Sequence, residues 1–262
     1  MSSESLLDKL PKSHAIPVAE GLGRLTVALS AANWTVLGRY AAAYWNPAVI
    51  SNPQFNDLDI GTRSFQDLPL PDQVLPQEKR TGIYYTHRHL PNAQGLYFAN
   101  IVDTAGVNTD IFTMHPNEPP PAMVPLNDRL YVPIRTAETQ MVFSIEWLRR
   151  IATGYKFNYG LPAKYIKATR TLAEVANIDK IESIWQQCFE GRELGAMATL
   201  NWAEEQIKGW PSAQGSPLKR VLRHLFVPCA GCDRTDPNYP LISGFKAGAV
   251  IYLGRKRGYR AA

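Results

Sequence analysis

The sequence has few cysteines, few charged residues and no long apolar run. Its three cysteines, Cys188, Cys229 and Cys232, are too few for a disulfide framework in a chain of 262 residues. No apolar stretch approaches the roughly 18 residues of a membrane span, and the N-terminus carries an early acid where a secretory signal has an apolar segment. Hydrophobic residues, at 45%, are still enough for a packed core. We therefore predict a folded cytoplasmic protein with reduced thiols and no membrane partner.

The sequence also lacks the motifs of several enzyme classes. Gly21-Leu-Gly23 is not followed by the lysine or the further glycine that phosphate-binding loops require. Neither the HExxH zinc motif nor the GxSxG nucleophile motif occurs. The sequence therefore favours neither a nucleotide-dependent enzyme nor a metal hydrolase, and we predict no cofactor and no metal.

The net charge of +5 resides at one end of the chain. Residues 1–135 carry 10 basic and 12 acidic residues, residues 136–215 carry 9 of each, and residues 216–262 carry 9 basic and 2 acidic ones. Charge concentrated in this way indicates a polyanionic partner, most often nucleic acid, although a solvated basic tail is the alternative. The candidate RNA-binding residues are Lys219, Arg220, Arg223, Gly244, Phe245, Lys246, Gly248, Arg255, Lys256, Arg257 and Arg260.

Two segments of this basic end have a pattern suited to phosphate binding. A helix is predicted over 216–226, because Ser216 can cap it and Pro217 fits its first turn; its three cations would lie opposite an apolar face. In Gly244-Phe245-Lys246-Ala-Gly248, the glycines would let the backbone approach a phosphate, and the aromatic ring could stack on a base. A plain hairpin turn is the other interpretation of this segment.

The pattern along the chain predicts an α+β fold. We expect a loosely ordered lead-in over 1–23, a strand over 24–30 and a helix over 33–45 that Asn33 caps. Further strands are predicted over 82–87, 95–102, 110–114, 129–134, 140–146 and 249–253. Helices are predicted over 167–188, with a break near Asn177, and over 193–210 and 216–226.

These elements suggest three regions. Residues 1–147 would form an α+β platform with proline-rich loops, residues 148–226 a helical module, and residues 227–262 a C-terminal strand and basic tail that complete the platform. The alternative is one domain in which the helices simply cover the sheet.

Three further groups are candidates for chemistry. Arg39 lies among aromatic residues, where an arginine either extends its charged end to solvent or binds an anion. His87 and His89 would share one side of a strand, as half of a metal site or as an acid–base pair. Cys229 and Cys232 form a single CxxC, which fits a tight turn, half of a zinc site or a redox pair.

Taken together, these features resemble the CRISPR repeat-processing endoribonucleases, and more narrowly their type IV branch with an α-helical finger. The resemblance rests on the strand and helix over 24–45, the β-rich body, the helical insertion around 148–226, and the glycine-bearing turn at 244–248 that leads into a strand. It implies a ferredoxin-like or RRM-like platform, a repeat hairpin or mature crRNA as ligand, and the other subunits of a CRISPR effector complex as partners.

The chemistry that the resemblance implies is a metal-independent transesterification, in which the RNA 2′-hydroxyl attacks the adjacent phosphate. Arg24 and Arg39 would stabilise the anionic transition state with their positive charge. Arginine stays protonated at neutral pH, so neither residue would act as the general base. His87 or His89 would transfer the protons. Two other functions remain open: a non-catalytic RNA-binding subunit of a ribonucleoprotein, and a structural assembly protein.

Overall fold

The computed structural model describes residues 4–28, 34–50, 58–63, 85–89, 98–102, 108–153 and 162–208. Its α-helices are α1 (Lys12–Ala28), α2 (Gly38–Trp45), α3 (Ala137–Ala152), α4 (Pro162–Ala173), α5 (Ile178–Cys188) and α6 (Ala196–Ile207). Two short 3-10 helices cover Leu7–Lys9 and Pro47–Val49. The strands are β1 (Trp34–Val36), β2 (Leu58–Thr62), β3 (Tyr85–His89), β4 (Phe98–Val102), β5 (Asn108–Thr113), β6 (Ala122–Asn127) and β7 (Leu130–Ile134).

The described strands form one mixed sheet in the order β3-β4-β5-β2-β1-β7-β6. Strand β5 runs parallel to β2, and β7 runs parallel to β1, whereas the other neighbours are antiparallel. Together with the helices, this sheet confirms the predicted α+β class.

The buried apolar residues form two separate cores. In the first core, α1 and α2 pack on one face of the sheet, with Trp34, Leu22 and Ile60 among its fully buried members. In the second core, α3, α4, α5 and α6 pack around Trp185 and also enclose Ala42 of α2. We call α3, α4, α5 and α6 the helical unit. Helix α2 contributes side chains to both cores and therefore joins the helical unit to the sheet.

The N-terminal region is a helix, so two predictions for it are wrong. Helix α1 runs through Pro17, Gly21 and Gly23, where the sequence suggested an irregular lead-in, and it includes most of the strand predicted over 24–30. Val18, Leu22 and Leu25 are completely or almost completely buried at helical spacing. Burial of this stripe outweighs the poor helix propensity of the proline and the glycines.

The helix predicted over 33–45 is divided by a backbone constraint. Its first residues form β1, which pairs with β2 and β7, and α2 begins only at Gly38. Gly38 has a φ angle of 61°, in the left-handed region that interrupts a right-handed helix. The residue predicted to cap this helix, Asn33, lies outside the described residues.

The strand predicted over 140–146 is also wrong, because these residues belong to α3. Thr136 caps this helix by accepting a hydrogen bond from the backbone N–H of Thr139. Met141, Ile145 and Leu148 are fully buried, which is the spacing of one helix face. Helix α3 therefore begins at Ala137, before the start of the helical module predicted over 148–226.

Other local predictions are confirmed. Strands β3, β4, β5 and β7 overlap the predicted segments, and α4 and α5 are separated where the sequence indicated a break. Asn177 is the cap of α5, and its side chain accepts a hydrogen bond from the backbone N–H of Lys180. Helix α6 lies inside the predicted 193–210 segment. The segments predicted over 216–226 and 249–253 lie outside the described residues.

Strand β6 was not predicted, because prolines flank and interrupt it. It follows Pro121 and contains Pro125, and proline lacks the N–H that a central strand needs. Among the described strands, this one lies at the edge of the sheet and pairs with β7. On the other side, the backbone N–H of Leu6 donates to the carbonyl of Pro125 at 2.8 Å. Within the described residues, no helix is long and apolar enough to cross a membrane.

Alanine substitutions at three glycines separate the energetic cost of backbone strain from the cost of a steric clash. We expect Gly38→Ala to lower the free energy of unfolding by at least about 2 kcal/mol, since its φ is positive and a Cβ would lie 2.8 Å from Cγ of Asp59. Gly191→Ala should cost only about 1 kcal/mol, because its φ is 81° but no atom lies within 4 Å of the added Cβ. Gly23→Ala, inside α1 and equally unobstructed, should stabilise by up to about 1 kcal/mol.

Urea unfolding of the three variants measures these differences. Equal losses for Gly38→Ala and Gly191→Ala would show that the contact with Asp59 contributes nothing.

Candidate functional site

The N-terminus of α2 lies where the end of β1, β2 and α3 meet. The backbone N–H of Leu37 donates to the carbonyl of Asp59 at 2.8 Å, and that of Gly38 donates to Oε1 of Gln140 at 3.0 Å. The side chain of Asp59 packs so closely on Gly38 that a Cβ added there would force Asp59 to shift. A residue of α3 thus caps α2, which fixes the position of the residue that follows Gly38.

That residue is Arg39, a predicted catalytic residue. It is partly exposed, but its Nη1 atom is buried and has no hydrogen-bond partner. In the described part of the chain, Arg39 forms no ion pair. A guanidinium N–H without an acceptor is unfavourable in a folded protein, and the positive end of the α2 dipole lies beside it. Both features favour an anion at this position.

Polar residues occupy one row of the sheet beside this helix. Asp59 of β2 is opposite Asp110 of β5, and both are partly buried. The register continues from Asp110 to Asn100 of β4 and then to His87 of β3. Strand β3 therefore lies three strand spacings, or about 14 Å, from β2.

The predicted catalytic residues are therefore on separate elements. Arg24 is on α1 rather than on a strand, and His87 and His89 are on β3 at the sheet edge; for these three residues only the backbone is described. The structure does not bring β3 next to Arg39. The two cysteines of the CxxC and all the predicted RNA-binding residues lie outside the described residues. They are Cys229, Cys232, Lys219, Arg220, Arg223, Gly244, Phe245, Lys246, Gly248, Arg255, Lys256, Arg257 and Arg260.

The helix α1 carries a histidine that the sequence analysis did not consider. His14 is fully buried, and its Nδ1 atom shares a hydrogen bond of 2.9 Å with the hydroxyl of Tyr40 in α2. The two rings also meet edge to face. This pair lies within the first core, where it joins α1 to α2.

A second polar site, which we call the arginine cluster, consists of Glu146, Arg149, Arg150 and Arg192. Glu146 of α3 is buried, and its carboxylate accepts two hydrogen bonds from Arg149 at 2.6 and 2.8 Å. Its Oε1 atom also accepts from Nε of Arg150 at 2.9 Å and from Nη2 of Arg192 at 3.4 Å. One carboxylate thus holds three guanidinium groups, which leaves an excess of two positive charges.

Two opposing effects act on the pKa of Glu146. Burial favours the neutral acid and raises the pKa, but the hydrogen bonds and charges of Arg149 and Arg150 outweigh it. The net pKa lies below its ordinary value of 4.5. Glu146 is therefore a carboxylate at neutral pH.

A buried ion pair lies near the arginine cluster. Arg135, directly after β7, donates two hydrogen bonds of 2.7 Å to the carboxylate of Glu118, and both side chains are almost inaccessible to solvent. Its guanidinium lies 4.3 Å from the centre of the Phe143 ring. Arg63, at the end of β2, donates to the carbonyls of Pro116 and Glu118 at 3.3 and 2.6 Å. Arg63 therefore adds a positive charge that carbonyl dipoles partly balance.

His115 lies close enough to the ion pair and to the arginine cluster for the charges of both to affect its pKa. Its ring packs against Phe143 and Phe189, and its Nδ1 accepts from the backbone N–H of Asn117 at 3.2 Å. Burial lowers the pKa of His115 below its ordinary 6.5, and the charge of Arg150 adds to this effect, whereas Glu118 and Glu146 oppose it. His115 is thus mainly neutral at pH 7.

Amide groups fasten the segment between β5 and β6 to the end of α5. Asn117 donates to the carbonyl of Gln187 at 3.2 Å, and Gln187 donates to the carbonyl of Asn117 at 3.0 Å. The thiol of Cys188 lies 3.5 Å from that carbonyl, and burial raises its pKa to about 11. Cys188 is therefore a poor nucleophile at neutral pH.

The arginine cluster was not predicted, although part of its signal is present in the sequence. Glu146 precedes Arg149 and Arg150 by three and four residues, the spacing of ion pairs on one helix face. The strand predicted over 140–146 concealed this spacing. Among the described residues, no group of three or more histidine, cysteine, aspartate or glutamate side chains is arranged to hold a metal ion.

Comparison with known proteins adds no identification. No protein-family model matches the chain, and none of the curated proteins matches it.

Arg39 and Arg135 give opposite predictions for the same substitution. We expect Arg39→Met to leave stability unchanged or to raise it by about 1 kcal/mol, because it removes a buried donor that has no partner. Arg135→Met should cost about 3–5 kcal/mol, because it leaves the carboxylate of Glu118 buried without a cation. Urea unfolding tests both variants, and a large loss for Arg39→Met would mean that Arg39 stabilises the fold.

The lowered pKa of Glu146 predicts a loss of stability in acid. Because the pKa is lower in the folded protein, the stabilisation is complete above about pH 4.5 and is lost as the pH falls through the folded pKa. Urea unfolding between pH 6 and pH 3 should show a shallower pH dependence for Glu146→Gln than for the unmodified protein. Parallel pH profiles would contradict the role of the arginines in holding this carboxylate ionised.

Proposed function

We propose that the chain binds a hairpin of CRISPR repeat RNA, cleaves it without a metal ion, and retains the product crRNA within an effector complex. The observation that carries this proposal is the state of Arg39, a cation with a buried N–H that has no acceptor. Arg39 is partly exposed, and a phosphate of RNA that contacts its guanidinium would neutralise this charge.

In this proposal, Arg39 acts on the charge that develops during cleavage. The 2′-oxygen forms a bond to phosphorus while the bond from phosphorus to the 5′-oxygen breaks, which yields a 2′,3′-cyclic phosphate and a 5′-hydroxyl. The nonbridging oxygens gain negative charge on the way, and a guanidinium can contact two of them at once. The cap that Gln140 gives to α2 holds Arg39 in place, so that little reorganisation accompanies the reaction.

The reaction also requires that the 2′-hydroxyl loses a proton and that the 5′-oxygen gains one. Arginine does not remove a proton at neutral pH, so another group carries out this step. His87 or His89 of β3 is the group that we propose. Since β3 lies about 14 Å from β2, these histidines would act with Arg39 only across an RNA phosphate that lies between them.

A ferredoxin-like or RRM-like platform is the finer part of the proposal. One face of the sheet packs against α1 and α2, with Val124 and Val132 buried on it. Met123 and Tyr131 alternate with these valines and are exposed, at 50% and 57%, on the other face. An exposed aromatic ring such as that of Tyr131 is suited to stacking on an unpaired RNA base.

A non-catalytic RNA-binding subunit is the second candidate. It is favoured by the position of the histidines whose side chains are described: His14 is fully buried, and His115 packs among aromatic rings near the arginine cluster. In this case Arg39 would bind a phosphate without promoting its reaction.

Cleavage in the presence of EDTA tests the enzymatic proposal. Hairpin-containing repeat RNAs should be cut by the purified protein, and the same RNAs with a 2′-deoxy nucleotide at the cut site should remain intact. Arg39→Ala should lower the cleavage rate by about 100-fold or more, because it removes the cation that faces the developing charge. Arg39→Lys should recover only part of the rate, since lysine lacks the paired N–H groups of a guanidinium.

Arg129→Ala is the matched control, because Arg129 is exposed in the turn between β6 and β7. RNA binding without cleavage by any variant would remove the enzymatic function and retain the binding subunit. Absence of RNA binding would overturn both candidates.

A further inference from the structure

The arginine cluster contains more positive charge than its carboxylate needs. Arg149 alone satisfies Glu146 with two short hydrogen bonds, and its side chain is only 22% exposed. Arg150 and Arg192 each add a single N–H to the same oxygen atom, and their side chains are 37% and 41% exposed. The buried carboxylate of Glu146 is therefore already paired with a cation without Arg150 and Arg192.

Arg150 and Arg192 lie side by side because they share Oε1 of Glu146. Arg150 is fixed by its position in the last turn of α3. Arg192 is brought to the same oxygen by the turn between α5 and α6, in which Gly191 has a φ of 81° and the N–H of Arg192 donates to the carbonyl of Phe189. Two elements of the helical unit thus hold two like charges together, against their mutual repulsion.

The remaining donors of these two arginines have no partner. Within the described part of the chain, Nη1 and Nη2 of Arg150 form no hydrogen bond, and Arg192 uses only Nη2. Arg170 shows the contrast: its side chain is equally exposed, at 41%, but it donates to both carboxylate oxygens of Glu204 and to Asn201. Arg150 and Arg192 therefore retain N–H groups that can donate to a further acceptor.

We propose that Arg150 and Arg192 together bind one phosphate group of the RNA backbone, as a recognition site on the helical unit. This inference rests on the proposed RNA-binding function and gives it a surface outside the basic C-terminal segment. Glu146 and Arg149 position the two guanidiniums, and the paired N–H groups of arginine match the oxygens of a phosphodiester. The excess of two positive charges in the cluster matches a polyanion.

Binding of an RNA that resists cleavage tests this site. The probe is a fluorescein-labelled hairpin with a single-stranded 5′ flank, in which every ribose carries a 2′-O-methyl group, so that transesterification is blocked and the phosphates are retained. Arg150→Gln and Arg192→Gln should each weaken binding by about five- to tenfold. The double variant should lose clearly less than the product of the two single losses, because both side chains contact one phosphate.

The salt dependence supplies a second readout. The slope of the logarithm of affinity against the logarithm of salt concentration should become shallower by about 1 in the double variant. Arg170→Gln is the matched control, because it removes an equally exposed charge that is already paired. Thermal unfolding of each variant shows whether the chain remains folded, which the intact pair of Glu146 and Arg149 leads us to expect.

The possible results separate this inference from the proposed function. If the unmodified protein binds the probe and the double variant retains the affinity and slope of Arg170→Gln, only the phosphate site is overturned. If the losses of the two single variants add fully, the shared phosphate is overturned. If the unmodified protein does not bind the probe, the proposed function and the phosphate site both fail.

Discussion

The buried ion pair between Arg135 and Glu118 lies where several of the described elements meet. The backbone of Arg135 donates to the carbonyl of Val36 in β1, and its own carbonyl accepts a hydrogen bond from the indole of Trp45 in α2. Its side chain binds Glu118 and lies over Phe143 of α3, while the carbonyl of Glu118 accepts from Arg63. One residue thus connects two strands, two helices and the segment between β5 and β6. This contact therefore adds a polar link between the two apolar cores, beside the link that α2 makes by contributing side chains to both.

The sequence predicted the elements whose local pattern agrees with their environment. The helices α4 and α5 have clear apolar spacing and an asparagine cap between them, and the strands β4 and β7 are rich in apolar and β-branched residues. Elements whose tertiary contacts override local preference were missed. Helix α1 contains Pro17 and two glycines but buries a complete apolar stripe. In α3, the sequence of residues 140–146 has the composition of a strand, whereas the full 16-residue helix has the apolar spacing of a helix.

The site was less accessible to sequence reasoning than the fold. Arg39 could be selected because it lies among aromatic residues, but its N–H without a partner is visible only in the folded structure. The cap on the preceding Gly38 likewise comes from Gln140, about 100 residues away. Arg192 reaches Glu146 only because α5 and α6 turn back at Gly191. Contacts between distant parts of the chain decide which cations remain available, and no local pattern encodes them. In the proposed function, the two arginine sites would contact RNA through residues outside the basic C-terminal segment.

The position of Pro125 in an edge strand has a further consequence. An edge strand normally offers a row of unpaired N–H and C=O groups on which a strand of another molecule can assemble. At residue 125 the N–H is absent, and the carbonyl already accepts from Leu6. The pairing with β7 is also irregular between Pro125 and Asn127. This edge of the sheet therefore presents a poor template for intermolecular β-aggregation, although apolar side chains are exposed beside it.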